Sequence, residues 1–125
     1  MRKLIKTVKA PCDGLLYPTE DGDQQPLRAG QWVEFKRKIT PGNMRTMLGF
    51  SIQAEADNYA ELASGIDTLI DLLSHKIVAW NWTDLESADG APLPPPSAEV
   101  LRELDFDDVL NLVNLYVDIA FPSKN

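Results

Sequence analysis

The spacing of apolar and polar positions changes character along this chain, and each change marks a new kind of element. Residues 1–43 follow a two-residue period. Alternation is partial in Leu4-Ile5-Lys6-Thr7-Val8-Lys9 and cleaner in Gly30–Ile39, where Val33, Phe35, Arg37 and Ile39 share one face and Trp32, Lys36 and Lys38 the other. That period predicts half-buried strands. Pro11, Gly14 and Pro18 punctuate the intervening stretch, and Thr19-Glu20-Asp21-Gly22-Asp23 predicts a polar turn. Thr40-Pro41-Gly42-Asn43 predicts a type II turn closing the region, with Gly42 supplying the positive φ.

From 44 to 79 the period lengthens. Tyr59, Leu62, Ala63, Ile66, Leu69, Ile70, Leu73 and Ile77 recur at steps of three and four, the signature of an amphipathic helix. Gly49 and Gly65 each weaken a helix by roughly 1 kcal/mol relative to Ala, so a break is expected near one of them. Residues 80–96 read as a Trp/Pro-rich connector. Val78–Thr83 is extended, Asp84–Gly90 is polar, and Pro92-Leu93-Pro94-Pro95-Pro96 forms a polyproline spacer. Residues 97–121 predict two helices. Ser97 caps the first, over 98–104, and Asp105 caps the second, with Asp107 and Asp108 in its favourable first turn. Val109, Leu112, Val113, Tyr116, Val117 and Ala120 make its apolar stripe, and Pro122 closes it. The fold class is therefore α+β: a single domain over 1–125, with a small N-terminal β region followed by a mainly helical C-terminal part.

Composition narrows the function classes. The 125 residues are 44% apolar and 8% aromatic, enough for one cooperative core. Lys6 and Lys9 interrupt any secretory apolar run, and no stretch is long and apolar enough for a membrane helix. A single cysteine allows no internal disulfide and suits a reducing cytoplasm. Residues 1–50 carry nine Lys/Arg against five Asp/Glu, whereas residues 51–125 carry three against fourteen. The acidic second half opposes general nucleic-acid binding, which needs a basic face, and suits a basic partner surface.

Candidate chemistry is sparse. His75, the one histidine, sits near a helix C-terminus where a cation is favoured, with no nucleophile motif beside it. A hydrolase built on His75 and Cys12 requires the two to meet in a pocket. Asp105, Asp107 and Asp108 are read as helix-capping residues rather than metal ligands, and no glycine-rich phosphate loop or cofactor motif is present in the sequence. Two features bear on binding. Trp80 and Trp82 share a face of an extended segment, either as a core plug or as an aromatic anchor for a partner. The stripe of the last helix, including Leu112 and Tyr116, offers core packing or a docking surface for a partner or a second copy.

The segments Ile77-Val78-Ala79-Trp80-Asn81-Trp82-Thr83-Asp84, Asp89-Gly90-Ala91-Pro92-Leu93-Pro94 and Ser97-Ala98-Glu99-Val100-Leu101-Arg102-Glu103-Leu104 occur in an order that resembles small proteins of the tail gene clusters of long-tailed bacteriophages and prophages, of the tail assembly chaperone type. Ala29-Gly30-Gln31-Trp32-Val33 is similar to the N-terminal part of such proteins. The resemblance covers residues 77–104 well and 25–121 loosely. It implies a non-enzymatic chaperone without cofactors, acting in the bacterial host cytoplasm. Its partners are then the tape-measure protein and the major tail protein, with homo-oligomers allowed and no nucleic acid or membrane involved. Trp80, Trp82, Leu112 and Tyr116 are the candidate partner-binding residues. The alternative is a structural tail or head–tail connector component retained in the virion.

Overall fold

The computed structural model describes residues 5–55 and 59–120. Strands β1 (Thr7–Pro11), β2 (Tyr17–Pro18), β3 (Gln24–Gln25) and β4 (Trp32–Lys36) precede helices α1 (Pro41–Glu55) and α2 (Tyr59–Lys76). Strand β5 (Ile77–Trp80) follows α2 directly, and α3 (Ala98–Arg102) and α4 (Phe106–Ala120) complete the fold. The α+β class expected from the periodicities is the class observed.

β4 is the centre of an antiparallel sheet ordered β1-β4-β5. The register pairs Ala10 with Val33 and Val8 with Phe35 on one side, and Val33 with Trp80 and Phe35 with Ile77 on the other. Side chains one residue apart point to opposite faces, which sends Ala10, Val33 and Phe35 to the core, and a register irregularity at Glu34/Phe35 lets both Ile77 and Trp80, three residues apart, join them. The alternation foreseen for β4 holds at Val33 and Phe35 but stops at Lys36, and Arg37 is exposed. β2 and β3 form a separate hairpin around the expected polar turn. There the Thr19 N–H donates to the Asp23 carbonyl at 3.0 Å, and Gly22 adopts φ +86°.

Two helix expectations need correction. Thr40-Pro41-Gly42-Asn43 begins α1 instead of forming a type II turn. The Asn43 N–H donates to Thr40 Oγ1 at 3.1 Å, and the Thr40 N–H donates to Asn43 Oδ1 at 3.2 Å. This reciprocal pair satisfies donors that a helix start leaves orphaned, and Pro41 occupies the first helical position, where its missing N–H costs nothing. The helix break falls at neither Gly49 nor Gly65, which lie inside α1 and α2. α1 ends at Glu55 and α2 begins at Tyr59, and residues 56–58 lie outside the described residues. The predicted stripe of α2 is buried at Leu69, Ile70 and Leu73 and continues to Ile77 in β5, while Ala63 is exposed. The side chains of Tyr59, Leu62 and Ala120, and Pro122 entirely, lie outside the description.

The proline segment is not a free spacer. It runs back along the strand exit: the Leu93 N–H donates to the Trp82 carbonyl at 2.9 Å, Thr83 bridges Pro92, and Leu93 packs on the core. Ser97 caps α3 as expected, accepting from the Val100 N–H at 3.3 Å, although α3 ends at Arg102 rather than 104. Asp105 accepts from the Asp107 N–H at 3.0 Å before α4. Val109, Leu112, Val113 and Tyr116 of α4 are buried against the rest of one continuous core.

Replacing Thr40 with Ala removes the Oγ1 acceptor of the α1 cap and leaves the Thr40 N–H bond to Asn43 in place. Chemical denaturation is expected to show a loss of about 1 kcal/mol with an unchanged m-value.

Candidate functional site

The turn joining β3 to β4 closes with the Gln31 N–H donating to the Arg28 carbonyl at 3.0 Å. Its third residue, Gly30, has φ +82°, a conformation that a side chain would strain. This turn sends Arg28 inward, where it is 1% exposed. The guanidinium carbon lies 3.9 Å from the centroid of the Trp82 ring, and four side chains or backbone groups receive its protons. Nε and Nη2 donate to the two oxygens of Asp108 at 3.1 and 3.2 Å. Nη1 donates to Gln31 Oε1 at 2.9 Å and to the Thr83 carbonyl at 3.0 Å. Nε also reaches the Tyr17 hydroxyl at 2.9 Å, and that hydroxyl donates in turn to Asp108 Oδ1.

A buried guanidinium is tolerable only when its donors are met and its charge is paired. Both conditions hold, and among the described residues no buried side-chain nitrogen or oxygen is without a partner. The network draws together β2, the β3–β4 turn, the chain after β5, and α4. Asp108 does sit in the first turn of α4, but its carboxylate is committed to Arg28 and is 5% exposed, so helix-end electrostatics are not its main role. Tyr17 has its phenol pushed well above the ordinary range, by burial first, then by the hydrogen bond and charge of Asp108, with Arg28 opposing.

Trp80, Trp82, Leu112 and Tyr116 do not form an accessible partner surface in this structure. Trp80 and Trp82 stack on each other with centroids 5.0 Å apart and planes within 3°. Their indole N–H groups donate inside the chain, from Trp80 to the Pro94 carbonyl at 3.0 Å and from Trp82 to Cys12 Sγ at 3.3 Å. Trp82, Leu112 and Tyr116 have no exposed surface, and the Tyr116 ring lies 5.4 Å from that of Phe35. All four residues belong to the core. Cys12 is buried beneath Trp82, and burial pushes its thiol up. The His75 side chain is 71% exposed, with Nδ1 2.8 Å from the Asp71 carbonyl. Cys12 and His75 therefore share no pocket.

What the network does expose is a cleft of about 720 Å³ above it. Seven carboxylates line it, those of Glu20, Asp84, Glu86, Glu103, Asp105, Asp107 and Asp108, against one cation, Arg28, which Asp108 already neutralises. Leu27, Leu85, Leu93 and Leu104 supply apolar surface between them. Burial, followed by the charges of Asp105 and Asp108, pushes the Asp107 carboxyl up, the mark of negative charge lacking local compensation. Among the described residues no three His, Cys, Asp or Glu side chains group as metal ligands. The arrangement sets negative charge beside apolar surface, the complement of a cation carried next to apolar groups.

Neither Arg28 nor Tyr17 belongs to a motif or a periodic face in the sequence. A faint signal existed: Arg28 is the only cation between Lys9 and Lys36. No protein-family model, curated protein or solved structure matches the chain. Among the described residues no helix is long and apolar enough to cross a membrane.

Arg28→Ala strands the Asp108 charge in the interior, with an expected loss of about 3–5 kcal/mol in denaturant unfolding. The double variant R28M/D108L removes both charges and is expected to recover most of that loss. In alkali, burial pushes the Tyr116 phenol up to about 12, and Tyr17 is also raised, from an ordinary value of 10.0. The folded protein thus keeps protons that the unfolded chain releases. Stability is expected to be level below about pH 10 and to fall above it, with phenolate absorbance from these two residues appearing together with unfolding.

Proposed function

We propose that the protein is a non-enzymatic binding module whose acidic cleft holds a basic, amphipathic segment of a partner protein. The observation carrying this reading is the coexistence of six unneutralised carboxylates and four leucines around a rigid floor. A helix with lysines or arginines flanking an apolar stripe offers both complements at once. The floor is fixed by the Arg28–Asp108 pair, so the cleft needs little reorganisation on binding.

The sequence resemblance gives the partner its class. On that reading the module is a phage or prophage tail assembly chaperone working in the bacterial cytoplasm. Its client is a tape-measure protein whose helical segments need cover until the tail tube is built around them. The major tail protein is the second partner on the same grounds. The binding face is the cleft rather than the tryptophans and the α4 stripe.

Two measurements test the proposal. A synthetic Lys/Leu peptide of helical period is expected to bind, and E86K/E103K is expected to weaken it at least roughly tenfold, with steep salt dependence. Binding that ignores the charge reversal removes the cleft from consideration. Tagged protein expressed with its whole gene neighbourhood is expected to retain a long helical tail protein and to be missing from finished particles. Its presence inside particles favours a structural tail or connector role, and recovery of no phage protein overturns the tail assignment.

A further inference from the structure

A second cleft, of about 700 Å³, has the opposite charge. Arg37, Lys38 and Arg45 rim it, and Met44, Leu48 and Ile119 provide its apolar lining. Leu48 is 37% exposed, and Ile52, one turn further along α1, is 64% exposed, so the apolar surface continues past the groove. Among the described residues neither Lys38 nor Arg45 makes an ion pair. Beside the groove the Lys76 Nζ donates to the Lys38 carbonyl at 3.2 Å, and burial, followed by the charges of Lys36 and Lys38, lowers its ammonium.

α4 places the two clefts. Ile119 near its C-terminal end lines the basic groove, whereas Asp107 and Asp108 in its first turn line the acidic cleft. At 1.5 Å per residue the 15-residue helix separates them by about 20 Å. One copy cannot close its own basic groove with its own acidic rim. The acidic rim also carries a matching apolar group, since Leu85 is 36% exposed between Asp84 and Glu86.

We propose that the protein self-associates by seating the Asp84-Leu85-Glu86 rim of one copy in the Arg37–Lys38–Arg45 groove of another. The occupant is a second copy because this chain supplies both halves of the complement, an acidic knob with an apolar tip and a basic groove with an apolar floor. Each copy keeps one of each, so the contact either repeats into a ring or chain or pairs twice across a dyad. The inference shares the acidic cleft with the function proposed above but does not rest on it.

Sedimentation velocity over a concentration series is the test. Wild-type protein is expected to form dimers or larger species at low salt and to dissociate as ionic strength rises. K38E/R45E and E86K/E103K, both confirmed as folded by circular dichroism, are each expected to stay monomeric, with self-association at least roughly tenfold weaker. Mixed in equal amounts, they are expected to assemble again, because the intact acidic rim of K38E/R45E can seat in the intact basic groove of E86K/E103K. L85A is expected to weaken assembly without abolishing its salt dependence. A wild type that is monomeric at every concentration, or an assembly indifferent to both reversals, overturns the proposal. K38E/R45E keeps its acidic cleft, so it is expected to bind the Lys/Leu peptide as wild type does. Peptide binding without self-association therefore sinks this inference alone, and self-association without peptide binding sinks only the function proposed above.

Discussion

A guanidinium that is almost wholly out of water imposes conditions on everything around it. Arg28 meets them by recruiting parts of the chain that share no local reason to meet: a two-residue strand, a tight turn, the backbone after β5 and the first turn of α4. Burying such a pair is expensive, and well-packed apolar residues of similar volume are often as stable. What the pair adds is directional. Asp108 can satisfy both Nε and Nη2 only if α4 stands at one height and one rotation relative to the β3–β4 turn. The tryptophan stack completes the enclosure, with Trp82 facing Trp80 on one side and the guanidinium nearby.

The cleft is the outward side of the same arrangement. α4 starts at the network, so its acidic first turn is held at the rim together with the Asp84–Glu86 loop and Glu103. The opposite end of α4 meets the start of α1 and the cationic exit of β4. The imbalance between the basic and acidic halves of the sequence thus becomes a spatial dipole along one helix.

Most of the fold was legible because period and caps are local. Val33 and Phe35 alternate into the core, Leu69, Ile70 and Leu73 follow the helical step, and Ser97 and Asp105 cap as their side chains allow. Local reading failed where two local motifs compete, as at Thr40–Asn43, where Pro-Gly suits a turn but Thr and Asn close a helix cap. It failed more completely at the site. Arg28 and Asp108 are 80 positions apart, and nothing near either residue announces the other. Trp80 and Trp82 were correctly set on one face, but periodicity does not say whether a face looks inward or outward, and here it looks inward.

That separation bears on how the chain is made. β1 packs against α4, and Arg28 has no carboxylate to enter the interior with until Asp108 is available. During synthesis the sheet residues and the tryptophans leave the ribosome before the helix that covers them, so the core cannot close progressively from the N-terminal side. Until the last helix has emerged, the nascent chain carries exposed indoles and a solvated arginine.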